Sequence, residues 1–206
     1  MDKWIIGLFI AIILICAGVV SVHYYLGNGD EDKEIVKYER YEELKSQWFS
    51  ICGNYWAGQI FTVGATGPDE AHYIDNISLY MSSVGQPDGL VTLVITETKE
   101  KYLGLPIEWI PYGKELTRAT LDIEDVPDVW FDWVSFDLTD VVLQPNGIYA
   151  MILFAPNAND TAFIRWERVH DDGTYPGGHA VASQDGGLSW GTVPDSDYAF
   201  IEYGYV

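Results

Sequence analysis

The sequence predicts an all-β domain, a jelly-roll-like β-sandwich, preceded by one N-terminal transmembrane helix and a short juxtamembrane helix. Two patterns lead to this prediction. An apolar run without charged residues fills residues 4–26, and after Tyr55 short alternating apolar and polar runs are separated by turns rich in Gly, Pro, Asn and Asp. We therefore divide the chain into a membrane anchor (1–27), a helical stalk (28–50) and a β-sandwich domain (51–206).

The anchor is long enough to cross a bilayer. Residues 4–26 contain no Lys, Arg, Asp or Glu, and about 20 apolar residues with a rise of ~1.5 Å each match a hydrocarbon core of ~30 Å. Trp4 at one end and Tyr24 and Tyr25 at the other are spaced like aromatic belts at the two interfaces. A cleaved signal peptide is the alternative, although the run is long for one and no small-residue cleavage site follows it.

The charge distribution and two short motifs favour a single-pass protein of the cell membrane with its C-terminal domain outside. The net charge of −20 is carried after Gly27, because Asp2 and Lys3 cancel. Glycosylation sequons begin at Asn76 and Asn159. The count of basic residues on the two sides of the span opposes this orientation, but long domains translocate largely regardless of charge.

Composition restricts the partners of the domain. A strong negative charge argues against nucleic acid and against docking on anionic lipids, because carboxylates repel phosphates. The two cysteines are Cys16, inside the apolar run, and Cys52, so the domain forms no internal disulfide. A bound cation could add stability. The oxygen-rich loops that could ligate Ca²⁺ contain Asp69 and Glu70, then Asn157, Asn159 and Asp160, and finally Asp195 and Asp197.

The stalk is predicted to be helical over residues 30–48. Acidic residues stand at its start, which favours a helix N-terminus. Its apolar residues recur at a spacing of three or four, and they are Ile35, Tyr38, Tyr41, Leu44 and Trp48. This segment is either a stalk or a helix packed on the domain, and a short coiled coil between subunits is a third reading.

Nine short strands are predicted in the domain. They lie at 60–63, 77–81, 91–95, 121–123, 134–138, 149–153, 164–166, 180–183 and 198–203. Strong turn sequences separate them at 85–89 and 144–147. The connection 99–114 contains Gly104, Pro106 and Pro111 and is predicted to be a crossover loop, which suits a jelly roll better than a meander.

The sharpest local motif is SQDGGLSW at residues 183–190. It resembles an Asp-box, Ser/Thr-x-Asp-x-Gly-x-Ser/Thr-Trp/Phe, at every specified position, beginning with Ser183. We expect Asp185 to accept hydrogen bonds from the turn backbone, Gly187 to take a positive φ and Trp190 to pack over the hairpin. Asp-boxes are common in sialidases and other sugar-active proteins, where they are structural turns, so the link to glycans is one of association.

A wider resemblance covers roughly residues 55–206. The order of its features is QIFT at 59–62, ISLY at 77–80, GQPDG at 85–89, LQPNGIYA at 143–150, RW at 165–166, YPGG at 175–178, the SQDGGLSW turn, and YAF at 198–200. In this order they resemble the choice-of-anchor R type of β-sandwich module of prokaryotic surface proteins. The resemblance implies a jelly-roll-like fold and a surface location, and it implies no known catalytic residues.

Aromatic residues are the candidate ligand contacts. Trp166, Tyr175 and Trp190 cluster in sequence near the Gly-rich loop 173–178, and flat rings stack on pyranose faces. We expect Tyr175 to be exposed. The leading functional hypothesis is a non-catalytic surface module for adhesion or glycan binding, and the alternative is a structural component of a cell envelope or surface assembly.

An enzyme is the third hypothesis. No nucleophile elbow, zinc-protease motif, P-loop or dinucleotide fingerprint is present. A polysaccharide hydrolase would need two facing carboxyl groups, and Glu167 with Asp171 is the pair to examine. The sequence therefore predicts that the protein is not an enzyme.

Overall fold

The computed structural model describes residues 33–101 and 108–206, and these residues fold into antiparallel β-sheets. The predicted anchor at 1–27 lies outside the described residues, as does the start of the predicted stalk. Within the described part of the chain, no helix has the length and apolar character that a bilayer crossing requires.

Fourteen strands and one 3-10 turn are described. They are β1 (Val36–Tyr41), β2 (Trp48–Ile51), β3 (Trp56–Thr62), β4 (His72–Val84), β5 (Leu90–Lys101), β6 (Glu108–Asp122), the 3-10 turn (Ile123–Asp125), β7 (Asp132–Asp137), β8 (Val142–Leu143), β9 (Ile148–Phe154), β10 (Phe163–Val169), β11 (Ala180–Ser183), β12 (Gly191–Val193), β13 (Asp197–Tyr198) and β14 (Phe200–Tyr205).

The strands form two sheets. An eight-stranded sheet has the order β1-β14-β4-β10-β13, with β2 paired to β10 and with β7 and β8 paired to β4. A six-stranded sheet has the order β12-β11-β3-β9-β5-β6. From β3 onward the chain passes repeatedly from one sheet to the other. The predicted all-β class is confirmed, and the arrangement is β-sandwich-like.

The core lies between the two sheets because each strand alternates its side chains between two faces. In β4, Ile77, Leu79 and Met81 are fully buried. From the other sheet, Phe61 of β3 approaches Phe200 of β14, with ring centroids 6.2 Å apart. Both sheets therefore contribute to one hydrophobic cluster, which contains no disulfide in the described part of the chain.

The helix predicted over 30–48 is wrong for the described residues. Strand β1 pairs with β14, and β2 pairs with β10. Tyr38 and Tyr41 are both buried although they are three residues apart, because the register shifts between Lys37 and Arg40. The folded unit accordingly begins at Glu34 and includes most of the predicted stalk.

A buried carboxylate ties β1 to the opposite sheet. Glu39 is fully buried, and its Oε1 accepts a hydrogen bond of 2.7 Å from the Gly64 amide. Its Oε2 accepts bonds from the hydroxyls of Thr66 (2.8 Å) and Tyr175 (3.0 Å). Gly64 and Thr66 follow β3 of the six-stranded sheet. The edge strand β1 is therefore held by side-chain bonds as well as by its ladder.

The crossover loop predicted over 99–114 is also wrong in the part that is described. Strands β5 and β6 continue as a long hairpin, with register shifts between Ile95 and Thr98. We call the segments 96–101 and 108–115 the hairpin arm. Trp109 of this arm packs on a second, smaller apolar cluster. The buried members of that cluster are Ile60, Ala150 and Val181.

Polar contacts fasten the hairpin arm to the rest of the domain. His179 Nε2 donates to the Trp109 carbonyl at 3.0 Å, and Lys101 Nζ donates to the Trp190 carbonyl at 2.7 Å. The Thr192 hydroxyl donates to the Glu108 carboxylate. Burial lowers the pKa of His179, which favours the neutral imidazole. The arm is thus bound to β12 and to the turn that precedes it.

Candidate functional site

The SQDGGLSW turn has the expected hydrogen bonds of Asp185 and the expected positive φ of Gly187, and its Trp190 packs on the smaller apolar cluster. The Ser183 hydroxyl donates to Asp185 Oδ1 at 2.8 Å, and the Ser189 amide donates to the same oxygen at 2.9 Å. The Ser189 hydroxyl donates to Oδ2 at 2.6 Å. These bonds, with those of Ser189 the strongest, lower the pKa of Asp185. Gly187 has φ +83°, in the left-handed region that glycine tolerates.

Substitution of Gly187 tests how tightly this turn is packed. A Cβ on Gly187 would lie 2.6 Å from Cζ3 of Trp56. We expect Gly187→Ala to lower the free energy of unfolding by about 2–4 kcal/mol, from backbone strain plus displacement of the indole. The measurement is chemical denaturation followed by tryptophan fluorescence.

Gly186 provides the matched control. Its φ is +70°, but a Cβ there would meet its nearest atom, Asn54 Oδ1, only at 3.4 Å. Gly186→Ala should therefore report the backbone cost alone, about 1–2 kcal/mol. Equal losses in the two variants would contradict the close contact with Trp56.

Next to this turn, a groove of about 610 Å³ opens between the turn and the hairpin arm. We call it the outer groove. Its lining combines residues from the sheet, the arm and the turn: Trp56, Thr96, Lys99, Lys101, Ile110, Pro111, Tyr112, Gly113, Ile152, Gly187, Leu188, Ser189 and Trp190. The volume lies within the usual range of about 300–1,000 Å³ for ligand pockets.

The outer groove offers aromatic rings beside polar groups. Tyr112 is 57% exposed, and Lys99 Nζ lies 3.9 Å from the centroid of its ring. Trp56 is held in place by stacking on Phe154, with ring centroids 4.3 Å apart. Rings of this kind present apolar faces to the C–H face of a sugar, while ammonium and hydroxyl groups bond its polar substituents.

Two of the three predicted ligand residues are buried. Trp166 is fully buried, and its Nε1 donates to the Ala199 carbonyl at 2.9 Å. Tyr175 is only 5% exposed, so the expected exposure of this ring is wrong. Both rings belong to the hydrophobic core. Trp190 alone of the three lines the outer groove.

The carboxyl pair suggested for hydrolysis does not face a common cleft. Glu167 is buried, and its Oε1 accepts a hydrogen bond of 3.0 Å from the Lys45 amide. Burial raises its pKa despite that bond. The side chain of Asp171 is 79% exposed. An acid–base pair would need both groups at one substrate, and these two have opposite environments.

The loops considered for Ca²⁺ use their oxygens within the protein. Asp69 accepts hydrogen bonds from the amide and the side chain of Asn146 at 3.0 and 2.9 Å. Asn159 Oδ1 accepts from the Thr161 hydroxyl at 2.8 Å. Over 33–101 and 108–206, no group of three or more His, Cys, Asp or Glu side chains is placed to hold a metal ion.

Asp197, another carboxylate considered for calcium, is a buried structural group. Its Oδ1 accepts from Gln59 Nε2 at 2.9 Å and its Oδ2 accepts from the Tyr175 amide at 3.0 Å. Burial raises the pKa of Asp197 to about 6. The contribution of this group to stability is therefore present at acidic pH and is lost as the pH rises through about 6.

A second surface of interest lies on the eight-stranded sheet, on the face turned away from the core. Arg165 lies over the rings of Trp48 (5.2 Å) and Phe131 (4.8 Å). Tyr80 stacks on Phe131 at 5.7 Å and contacts Trp133 at 5.3 Å. We call these five residues the aromatic patch.

A protruding loop borders the aromatic patch. Trp130, next in the chain, is 80% exposed. Its neighbour Val129 has φ +68°, which is strained for a β-branched residue. Strain at an exposed apolar position is a feature of interaction surfaces more often than of cores.

Sequence reasoning missed most of the groove. Lys99, Lys101 and Tyr112 fall in the segment that was predicted to be a loop. One available signal was the segment from Val91 to Thr98, which is rich in β-branched residues and extends past the end of the predicted strand at 95. That segment continues into the hairpin arm.

No protein-family model matches this chain, and neither a curated protein nor a solved structure matches it significantly.

Proposed function

We propose that this protein is a non-catalytic, membrane-anchored surface module that binds glycans for adhesion. In this proposal residues 4–26 hold the chain in the cell membrane and the domain lies outside. The domain is a jelly-roll-like sandwich of the choice-of-anchor R type. The repeated passage of the chain between two antiparallel sheets supports that topology, and the uncharged length of residues 4–26 supports the anchor.

One observation carries the glycan proposal. The outer groove joins three aromatic rings, from Trp56, Tyr112 and Trp190, to two lysines and to a turn whose side-chain bonds hold it in place. A groove with rings and few polar groups is the form that small-ligand sites usually take. The hairpin arm forms one wall of the groove and the SQDGGLSW turn forms the other, so a ligand between them can contact both.

A glycan array with the full chain, in detergent or in lipid nanodiscs, tests the proposal. We expect binding to a defined set of oligosaccharides, measured with calcium and with a chelator. Tyr112→Ala should weaken that binding about tenfold or more, because a stacked ring contributes on the order of 1–3 kcal/mol. Thermal unfolding should change little, since more than half of the Tyr112 side chain is in solvent.

Trp130→Ala is the matched control for the array. Trp130 is a still more exposed aromatic residue, and it borders the aromatic patch on the other sheet. Its loss should leave glycan binding unchanged. Absence of binding on the array, both with calcium and with a chelator, would refute the glycan proposal. Equal loss of binding in Tyr112→Ala and Trp130→Ala would show that the binding site is not the outer groove.

The aromatic patch favours a second candidate function, a structural role in a cell envelope or surface assembly. A broad aromatic face beside an exposed Trp130 is suited to contact another protein surface. Under this hypothesis, sedimentation velocity of the full chain shows an assembly that Trp130→Ser disrupts and Tyr112→Ala does not. A monomer at all concentrations, with intact glycan binding, would exclude self-assembly through this patch.

A further inference from the structure

We infer that the outer groove takes an anionic glycan, one whose sugars carry carboxylate or sulfate groups. This inference rests on the proposed glycan binding and narrows it to one chemical class. The observation behind it is that the charged side chains among the described lining residues of the groove are two lysines.

The charges that line the outer groove contrast with those of the whole chain. The sequence has 31 Asp and Glu against 11 Lys and Arg. Among the described residues that line the groove, the charged ones are Lys99 and Lys101, and no carboxylate is present. The protein as a whole is strongly acidic, so a groove whose charged lining residues are both lysines has a local charge of the opposite sign.

A second cavity has a lining of the opposite charge. A cavity of about 460 Å³ at the 3-10 turn is lined by four carboxylates, from Asp88, Glu124, Asp125 and Asp128. No Lys or Arg is among its described lining residues. Of these two concave surfaces, the outer groove has the lining that suits an anion.

The two lysines are placed by the hairpin arm. Lys101 Nζ donates to the Trp190 carbonyl, and an ammonium group has three N–H donors, so further donors can serve a ligand. Lys99 lies over the Tyr112 ring, where an acidic sugar could meet the ring and the ammonium together. Ser189 and Thr96 add hydroxyls to the same lining.

The net charge of −20 does not prevent such binding. At physiological ionic strength, charges more than about 8–10 Å away are largely screened. Contacts inside the groove are screened much less, because the ligand displaces the water between the charges. The two lysines therefore favour an anionic ligand inside the groove. Two carboxylates adjoin the lining: Asp185 accepts a bond from the Ser189 hydroxyl, and Glu97 lies beside Gly113.

The test uses paired ligands on the full chain in nanodiscs. The probes are oligogalacturonate, oligomannuronate and chondroitin sulfate, each compared with its carboxyl-reduced or desulfated form by calorimetry. We expect at least one acidic form to bind about tenfold or more tightly than its neutral form, because hydrogen bonds to charged groups are the stronger ones.

Lysine variants assign the preference to the groove. Lys99→Gln should weaken binding of the acidic form about tenfold and binding of the neutral form by a smaller factor, because an ammonium group bonds a charged group more strongly than a hydroxyl. Lys101→Gln should also weaken binding of the acidic form, whereas Lys101→Arg, which keeps the positive charge, should bind it about as well as the unchanged chain. Lys114→Gln, on the same arm and outside the lining, is the control that should change nothing. Thermal unfolding of each variant checks that the arm is intact.

The outcomes separate the two proposals. Equal affinity for the acidic and neutral forms, or insensitivity to both lysine substitutions, overturns the inference and leaves glycan binding in place. If the array shows preference for a neutral sugar and Tyr112→Ala abolishes that binding, the anionic-glycan inference is overturned and glycan binding in the groove is kept. Absence of binding to every probe and to the array overturns the inference together with the proposed function.

Discussion

Removal of residues 1–50 is expected to unfold the domain, whereas removal of residues 1–33 is expected to leave it folded. The longer deletion removes β1 with its buried Tyr38, Glu39 and Tyr41, and most of β2. It exposes the edge of β14 and leaves the Tyr175 hydroxyl without its carboxylate partner. Burial of each large side chain contributes about 1.5–3 kcal/mol, and whole domains are stable by only about 5–15 kcal/mol.

Circular dichroism and thermal unfolding of the two fragments provide the measurement. The fragment 34–206 should show a near-ultraviolet tryptophan signal and a cooperative transition, and 51–206 should lack both. If fragment 51–206 unfolded cooperatively at a temperature similar to that of fragment 34–206, the domain would begin at residue 51, as the sequence predicted. That result would also show that β1 is dispensable.

Loss of the His72–Glu202 pair is expected to destabilise the domain strongly. Both side chains are fully buried, and His72 Nε2 lies 3.0 Å from Glu202 Oε1. His72 Nδ1 lies 3.1 Å from the Glu70 carbonyl, and Tyr38 stacks on the ring at 3.5 Å. His72→Phe would keep the stacking and leave a buried carboxylate unpaired, at a cost of about 3–5 kcal/mol.

The His72–Glu202 pair makes the stability of the domain depend on pH. Burial lowers the pKa of His72, but the hydrogen bond and negative charge of Glu202 outweigh it, so that the pKa is raised above 6.5. The folded state therefore binds the proton more tightly than the unfolded state. The stabilisation is complete below pH 6.5 and disappears as the pH rises through the raised pKa.

Thermal melting between pH 6 and 9 measures this dependence. The intact chain should lose stability across that range, and Glu202→Gln should flatten the slope because His72 no longer faces a carboxylate. The double variant with His72→Phe should cost less than the sum of the single changes. An unchanged slope in Glu202→Gln would contradict the pairing.

The β character of the domain could be predicted because alternation is a local property of the sequence. Ile77, Leu79 and Met81 alternate with Ser78 and Tyr80, and these three apolar side chains are fully buried while Ser78 and Tyr80 keep some exposure. Strand β1 escaped prediction because of a bulge. A register shift places Tyr38 and Tyr41 on the buried side, and in a sequence that spacing is the pattern of a helix.

The groove escaped prediction for a different reason. Its walls are brought together by the hairpin arm, which joins Lys99 and Tyr112 to a turn that begins more than seventy residues further along the chain. Local pattern identifies the turn, because the roles of Ser183 and Asp185 depend on residues a few positions away. It does not reveal which aromatic residues are buried, since Tyr175 and Tyr112 have similar neighbours in sequence and opposite exposure.

The bonds of Glu39 have a mechanical consequence for a protein loaded through its N-terminus. Tension applied there enters the domain at β1, an edge strand that could be peeled from β14 one residue at a time. Glu39 bonds to groups that follow β3, so part of the pull passes directly into the sheet that bears the groove. Peeling must then break the buried hydrogen bonds of Glu39 early, and a single-molecule pulling trace should show one high-force rupture instead of gradual unzipping.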